Sequence, residues 1–322
     1  MFFFERIVIG FIGLGTAALF AVPASSPFNW TTHSPDAVFN LPDSSITEAK
    51  FNAQNKDLMT ASFLSSVFSK INYNFNAIQA GQKSVPRLFV KKLPIDMRRI
   101  KATEQKKKLF FLSVLPLILR VNDEILAERK KLKTLRVIFT KGINLKAEDR
   151  LWLAVMESRY KVKKGDWATL ARRVDIIPPS LALAQAAEES GWGTSRFVAE
   201  GNALFGQWTH GSGPGLVPFG RLANHKYKIK IFESLLDGVR AYARNLNSHQ
   251  AYRSFRFSRS EMRRLGQTLG GHKISLHLLS YSQRGKKYIR SLQTIINSNS
   301  LEKLDLLKLR KKIVDSKQRF IS

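Results

Sequence analysis

The feature that most constrains this chain is a helix of small residues, entered through a proline pair and ended by a glycine. The prolines at 178–179 stop any earlier helix and fix the entry of the next one. Ser180 is the predicted N-cap, and the LALAQAAEE segment after it consists almost wholly of strong helix formers. Gly191 accepts the left-handed conformation in which many helices end. The sequence therefore predicts a short helix from Ser180 to Gly191, followed by a tight GWG turn.

Two adjacent carboxylates, Glu188 and Glu189, lie at the C-terminal end of this helix. The partial negative charge of a helix C-terminus disfavours a second negative charge beside it. A carboxyl held there against Trp192 and alanine methyl groups is expected to keep its proton to higher pH than a free glutamate, as a general acid requires. The alternative is that both are solvated residues in the last turn of an ordinary helix. Their spacing alone does not decide between the two.

The sequence segments around these glutamates resemble those of a known family. AQAAEESGWGTSRF, followed by GNALFGQW, resembles the glucosaminidase domain of bacterial peptidoglycan hydrolases (glycoside hydrolase family 73), in particular that of the Bax-type proteins of Gram-negative bacteria. The resemblance covers about residues 85–301, with VPRLFVKKLP and RRVDIIPPSLALAQAA as further matching segments. It implies a mainly α (α+β) fold: a lysozyme-like helical hydrolase domain with a small β-hairpin lobe, preceded by a helical accessory region.

The resemblance also implies a reaction, hydrolysis of the β-1,4 bond after N-acetylglucosamine in peptidoglycan. Glu189, before the serine of ESGWG, matches the catalytic acid, and Tyr281, the first tyrosine of YSQRGKKY, matches a tyrosine implicated in catalysis. The alternative for Tyr281 is a core tyrosine with a satisfied hydroxyl, and Tyr288 is expected to serve packing. The implied substrate-binding residues are Trp192, Asn202, Phe205, Gln207 and Trp208. Of these, Trp192 is expected either to support the acid or to stack on a sugar ring. No metal and no organic cofactor is implied.

The sequence departs from the family in the lobe that follows the helix. Some relatives place a second carboxylate there, but this chain has no Asp or Glu between Gly201 and Phe232. A glycosidase normally pairs an acid with a base or nucleophile. The second role therefore passes to the 2-acetamido group of the substrate, to a positioned water or to a residue from elsewhere. Two alternative functions stay open: a lytic transglycosylase-like enzyme, and a catalytically silent protein that binds the cell wall or envelope.

The N-terminus predicts export. Residues 7–22 form an unbroken run of apolar and small residues, short for a membrane span and suited to the core of a signal peptide. An uncleaved signal anchor fits as well, so the protein is expected in the periplasm, either free or anchored in the inner membrane by this run. Export argues against a nucleic-acid partner. The formal net charge of +29 then favours acidic wall polymers or anionic lipid.

Composition and helical patterns predict five segments. These are a signal peptide or signal anchor (1–24), a linker (25–45), a basic helical accessory region (46–147), a glucosaminidase-like domain (148–300) and a basic C-terminal tail (301–322). The accessory region contains an apolar run at 109–121 that is too short to span a bilayer, and we expect it to be a buried helix. Residues 81–150 hold 19 Lys and Arg against 7 Asp and Glu. Their lysine clusters are either a solvated face or a docking surface for an anionic membrane.

Shorter patterns complete the predicted layout. Residues 207–231 are rich in glycine and then alternate apolar with basic residues, which predicts a short β-hairpin. Residues 232–249 predict an amphipathic helix. Asp175 lies beside apolar residues and prolines, and we expect it to form a structural salt bridge with Arg172 or Arg173.

Overall fold

The computed structural model of this chain describes residues 59–209, 213–219, 221 and 227–311. The predicted signal segment, the predicted linker and the end of the C-terminal tail lie outside these residues. Within them the chain is mostly helical and carries one small antiparallel sheet. The predicted mainly α class with a small β-lobe is confirmed, and the arrangement is consistent with a lysozyme-like α+β fold.

The helices and strands follow one another in this order. They are α1 (Ala61–Lys70), α2 (Phe75–Gln79), α3 (Thr103–Thr140), α4 (Ala147–Arg159), α5 (Trp167–Arg173), α6 (Pro179–Ser190), α7 (Arg196–Gly201), β1 (Trp208–Thr209), β2 (Gly215–Leu216), β3 (Lys228–Lys230), α8 (Leu235–Ser248), α9 (Arg253–Arg264), α10 (Gly271–Ser275) and α11 (Lys286–Ser298). Short 3₁₀ turns occur at Met97–Arg99, Gln250–Tyr252, Leu279–Tyr281 and Leu301–Leu304.

Helix α6, the predicted small-residue helix, lies at the centre of the core. Its residues up to Ala187 are all buried, because α3, α10, α11 and the turn at Leu301–Leu304 pack around it. Small side chains permit close approach: a Cβ atom at Gly271 would lie 2.6 Å from the backbone nitrogen of Leu181. The helix ends at Gly191, whose φ of 56° is left-handed, as predicted.

The predicted N-cap of α6 is wrong. Pro178 is the N-cap, and Pro179 takes the first helical position, which suits a residue without an N–H group. Ser180 therefore lies in the first turn, where its amide and hydroxyl both donate to the Asp305 carboxylate, at 2.8 and 2.7 Å. The amide of Gly271 donates to the same carboxylate at 3.2 Å. A residue 125 positions further along the chain thus satisfies free donors at the start of α6.

The apolar run at 109–121 forms the central part of α3 and is almost wholly buried against α6 and α8. The prediction of a buried helix there is confirmed, and the helix continues through Pro116. Across the ranges that the structure describes, no helix combines the length and the apolarity needed to cross a membrane.

The predicted amphipathic helix is α8, and the predicted hairpin is part of a small sheet. The core-facing residues of α8 include Leu235, Val239, Tyr242 and Leu246. Strand β3 lies between β1 and β2 and pairs antiparallel with both, so the lobe is a three-stranded sheet and not a single hairpin. Ile229 of β3 is fully buried and packs with residues of and next to α7.

Asp175 anchors a buried ionic cluster. Burial opposes its charge, but the guanidinium groups of Arg259, Arg263 and Arg129 outweigh that effect and hold the pKa of Asp175 below its ordinary value. Arg263 donates to the carboxylate at 2.9 Å, and Arg259 is itself fully buried. The expected structural salt bridge is therefore present. Its expected partners are wrong, because α9 and α3 supply the arginines.

Candidate active site

Glu189 is the last residue but one of α6, where the helix leaves the core. The residue as a whole is partly exposed, but its carboxyl group is buried. The pKa of its carboxyl is raised from 4.5 to about 7, with burial as the largest cause. The Tyr288 hydroxyl lowers this pKa, the Glu188 carboxylate raises it and the Arg284 guanidinium lowers it. Burial has the largest effect, so this carboxyl retains its proton far above the range of an exposed glutamate.

A directed hydrogen-bond relay leads to the phenol beside Glu189. The hydroxyl of Tyr242 donates to Oε1 of Gln185 at 2.7 Å, and Nε2 of Gln185 donates to the hydroxyl of Tyr288 at 2.9 Å. The Tyr288 hydroxyl in turn lies close enough to the Glu189 carboxyl to lower its pKa, as a hydrogen-bond donor does. Tyr242, Gln185 and Tyr288 are all buried, so the donors of Tyr242 and Gln185 have defined acceptors in a region of low dielectric. The relay fixes the position of the Tyr288 hydroxyl beside Glu189.

Two further tyrosines lie on the same side of Glu189. The ring of Tyr281 stacks on that of Tyr288, with 5.6 Å between centroids and 5° between planes, and the ring of Tyr252 lies 5.8 Å from Tyr281. Burial raises the pKa of Tyr281 well above its ordinary value, and the charge of Glu189 adds to the shift. The Tyr281 hydroxyl is therefore protonated at neutral pH and lies within electrostatic range of Glu189.

Glu188 has a different environment from its neighbour. It forms an ion pair and a hydrogen bond with Arg284, which also donates to the hydroxyl of Ser291 at 2.8 Å. The two adjacent carboxyls thus differ in environment: Glu188 is paired with a cation, and Glu189 is buried beside the phenol of Tyr288. Such a difference is typical of sites in which one carboxyl serves as an acid.

The turn after α6 is locked onto α3. Gly191, Trp192 and Gly193 all have positive φ angles, of 56°, 60° and 77°. Trp192 tolerates this strained conformation because its ring packs against Phe110 and Phe111, at centroid distances of 6.1 and 5.4 Å. The Nζ atom of Lys107 lies 5.4 Å from the same ring. The predicted substrate-binding residue Trp192 is therefore a contact between the turn and α3.

Asn202 and Phe205 lie in the interior behind the turn. Asn202 ends α7 in a left-handed conformation and donates from Nδ2 to the carbonyl of Phe232 at 2.9 Å, while its Oδ1 is buried without a partner among the described residues. Phe205 is buried, and its ring stacks on that of Tyr242 at 3.8 Å. Phe205 thus supports the first tyrosine of the relay.

Gln207 and Trp208 belong to the sheet. The carbonyl of Gln207 accepts from the amide of Lys230 at 2.7 Å. Trp208 is 43% exposed and stacks on Tyr227, with 4.6 Å between the ring centroids. In the described parts of the chain, no ring contact or hydrogen bond joins Gln207 or Trp208 to Glu189. Trp208 offers the kind of open aromatic face on which a sugar ring can stack.

The structure therefore brings Glu189 and Tyr281 together with residues that the sequence did not indicate as site residues. The sequence predicts a packing role for Tyr288 and a position on the apolar stripe of its helix for Tyr242, and it indicates no site role for Gln185 or Tyr252. A usable signal was present for Gln185, since it lies four residues before Glu189 on one helix face and a polar side chain in a buried alanine run needs a partner. Among the described residues, no group of three or more His, Cys, Asp or Glu is arranged to hold a metal ion.

Known proteins resemble this chain at the level of sequence. Residues 165–301 match the sequence model of a family described as "Glucosaminidase: Mannosyl-glycoprotein endo-beta-N-acetylglucosaminidase". The match contains the whole of α6 and the segment of Tyr281 and Tyr288. The chain is also 36% identical over 242 residues to the protein named "Protein bax" of Escherichia coli (strain K12), covering 72% of this chain and 80% of that protein. No solved structure gives a significant match.

Proposed function

Because this chain belongs to the family of Bax-type bacterial proteins with a glucosaminidase domain, we propose that it is a peptidoglycan hydrolase, an endo-β-N-acetylglucosaminidase in which Glu189 is the general acid. The observation that carries this proposal is the environment of Glu189. A buried carboxyl with a pKa of about 7 lies at the exit of the central helix, beside the last phenol of a hydrogen-bond relay. Strongly shifted carboxyls held in this way are typical of catalytic acids.

In the proposed reaction, protonated Glu189 donates its proton to the glycosidic oxygen as the C–O bond breaks. The sugar on the other side of that bond then develops positive charge at its anomeric carbon. The relay from Tyr242 through Gln185 and Tyr288 orients the carboxyl before the transfer, and it stabilises the carboxylate afterwards because the Tyr288 hydroxyl donates to it. The rise in local negative charge is therefore met by a donor that is already in place.

We propose that Tyr281 assists on the sugar side of the bond. Its hydroxyl is protonated at neutral pH and lies within electrostatic range of Glu189, so it can hydrogen-bond the 2-acetamido group or the attacking water. The segment between Gly201 and Phe232 offers no carboxyl for that role. Of the other predicted site residues, the exposed Trp208 is the best placed to contact a sugar ring. For Trp192, Asn202 and Phe205 the contacts described above favour a supporting role.

The proposed substrate implies a location. Peptidoglycan strands lie outside the inner membrane, so we propose that the protein acts in the periplasm, with residues 7–22 as a cleaved signal or an anchor. The predicted boundaries at 45/46, 147/148 and 300/301 also stay proposals. The family match, at 165–301, lies almost wholly within the predicted hydrolase segment.

Product analysis tests the proposed bond specificity. After digestion of purified peptidoglycan and borohydride reduction, we expect new reducing ends to be recovered as glucosaminitol, because cleavage after N-acetylglucosamine frees its anomeric carbon. Buffer without enzyme provides the control. Recovery of muraminitol alone would place the cut at the other glycosidic bond and contradict the proposal.

The lack of a second carboxylate in the β-lobe favours one alternative in particular, a lytic transglycosylase-like enzyme. Such an enzyme needs a single glutamate, which first protonates the leaving group and then removes a proton from the muramic acid hydroxyl. The same product analysis separates the two enzymes, since a transglycosylase leaves 1,6-anhydromuramic ends. A catalytically silent envelope-binding protein would leave the peptidoglycan uncut.

We expect the pH profile of kcat/KM to report the Glu189 carboxyl. Activity should fall about tenfold per pH unit above a midpoint near pH 7, because the acid must be protonated and loses its proton as the pH rises through its pKa of about 7. Tyr288→Phe removes a donor to the charged form, so the pKa of Glu189 rises and the alkaline limb moves to higher pH. A rate measurement across pH 5–9 on a soluble glycan substrate would check both statements.

Tyr160→Phe is the matched control for this profile. It removes a phenol that donates to another carboxylate, Glu128, at 2.9 Å, and it leaves the relay intact. The limb should not move in this variant. If Tyr288→Phe also left the limb in place, or moved it to lower pH, the assignment of Tyr288 as a donor to the catalytic acid would be wrong.

A further inference from the structure

A strongly cationic cavity lies apart from the Glu189 relay. It has a volume of about 370 Å³ and is formed by the loop after α4, by α5 and by the start of α9. Its cationic lining residues are Lys161, Lys163, Arg172, Arg173, Arg253 and Arg256. Among the described residues that line it, Asp166 is the one carboxylate, and its Oδ1 already accepts from the amide of Thr169 at 2.9 Å to cap α5.

The positive charge of this cavity is only partly compensated: the single carboxylate of Asp166 interacts electrostatically with Arg172 and Arg173, against six cations in the lining. Within the described ranges, none of its six cations forms a salt bridge. The Arg256 guanidinium donates instead to the carbonyls of Leu246 and His249, at 2.9 and 2.8 Å, and Arg173 donates to the carbonyls of Tyr160 and Lys161. Neutral acceptors therefore hold these two arginines in place and leave their charge available.

Arginines of the cavity are held by contacts that leave N–H donors without acceptors among the described residues. Arg172 and Arg253 both lie over the ring of Phe257, with their guanidinium carbons 4.9 and 5.3 Å from its centroid. The Nε atom of Arg173 is buried and has no hydrogen-bond partner in the described part of the chain. A rigid array of forked donors with unused N–H groups matches the oxygens of a tetrahedral or planar oxyanion.

Holding these cations together lowers stability when the cavity is empty. Arg256 is 4% exposed, and burial together with the charges of Arg173, Arg259, Arg172 and Arg253 lowers its pKa to about 10. Arg253 and Arg256 also lie in the first turn of α9, where the helix dipole disfavours positive charge. A bound anion would remove both of these unfavourable effects.

We propose that this cavity is a binding site for an anion that carries phosphate groups. Phosphate fits because each group brings up to about two negative charges and three acceptor oxygens, which arginine forks bind in pairs. The volume of the cavity falls within the range of ligand pockets and exceeds the volume of one phosphate ion. The ligand therefore carries either a second phosphate or another group attached to its phosphate. The site does not depend on the proposed hydrolysis, since it shares no residue with the relay.

The phosphate groups have two sources that the test distinguishes: a soluble phosphorylated compound and the headgroup of an anionic lipid. The probes are inorganic pyrophosphate, titrated calorimetrically at 150 mM salt to screen weak surface attraction, and phosphatidylcholine vesicles with or without phosphatidylglycerol. The full chain is used throughout. Binding to anionic vesicles is divided by binding to neutral vesicles. Any membrane binding by the apolar run at residues 7–22 is expected in both and so cancels.

The cavity variant is Lys163→Gln/Arg253→Gln, and the matched control is Lys133→Gln/Arg136→Gln on α3. All four side chains are exposed, and each pair removes one lysine and one arginine. Lys163→Gln alone serves as a milder cavity variant. Thermal melts followed by circular dichroism confirm that each variant is folded before binding is compared.

We expect pyrophosphate binding to weaken at least tenfold in the cavity variant and less than twofold in the control. A loss of the preference for anionic vesicles, confined to the cavity variant and without measurable pyrophosphate binding, would assign the site to a lipid headgroup. Equal weakening in the cavity and control variants would reduce the effect to net charge and overturn the proposal. Binding of neither probe to the unaltered chain would overturn it as well.

Discussion

Replacing Glu189 by glutamine is expected to lower peptidoglycan cleavage by roughly 10²–10⁴-fold, the range that a general acid contributes. Glutamine has nearly the same shape and can still accept a hydrogen bond from Tyr288, so the relay and the fold should persist. It has no carboxyl proton to give to the glycosidic oxygen. The measurement is the clearing zone in a peptidoglycan gel, quantified alongside the rate of release of reducing ends in solution.

Glu188→Gln is the control for this experiment, because it removes one negative charge at the neighbouring position. Glu188 is paired with Arg284 and does not accept from the relay, so we expect its loss to change the rate by less than about tenfold. A clearing zone that persists in Glu189→Gln would refute the assignment of the acid. Absence of clearing with the unaltered protein would instead favour the envelope-binding alternative.

Replacing Asp175 by alanine is expected to lower the free energy of unfolding by about 3–5 kcal/mol, as is found when one partner of a buried ion pair is removed. Arg259 is fully buried and would lose the nearest anion to its guanidinium, while Arg263 and Arg129 would lose the same partner. Urea unfolding followed by circular dichroism gives the value.

Asp149→Ala provides the comparison for that measurement. Asp149 pairs with Lys131 at 3.0 Å, but the lysine side chain is 43% exposed, so the pair should be worth less than about 1 kcal/mol. If Asp175→Ala destabilised the protein no more than Asp149→Ala, the buried arginine cluster would not be the stabilising feature that its contacts suggest.

Sequence reasoning predicted the local features of this protein well. The end of α6 followed from Gly191, and the buried helix at 109–121 and the core face of α8 followed from apolar spacing, since all of these depend on neighbours within a few residues. The site at Glu189 was indicated by its motif. The relay was not, because Gln185 meets Tyr242 and Tyr288 across 57 and 103 residues of chain. No periodicity reports a contact of that kind.

The errors have the same origin. The local segment predicts Ser180 as the N-cap, but Pro178 takes that position. The acceptor for the amide of Ser180 is Asp305, which is distant in sequence. The predicted salt-bridge partners of Asp175 are the arginines nearest in sequence, whereas its observed partners are arginines of α3 and α9. The sequence predicts a hairpin and not the three-stranded sheet, because β1 and β2 are each only two residues long and give no alternating pattern.

The site is assembled late in folding, because α6 is contacted at its start by Asp305 and near its end by Tyr288. Both ends of the helix are completed by segments that leave the ribosome about a hundred residues after it. Closing loops of that length is slow compared with forming the helix itself. Glu189 should therefore acquire its shifted acidity late in folding, only when the segments that hold Asp305 and Tyr288 dock on α6.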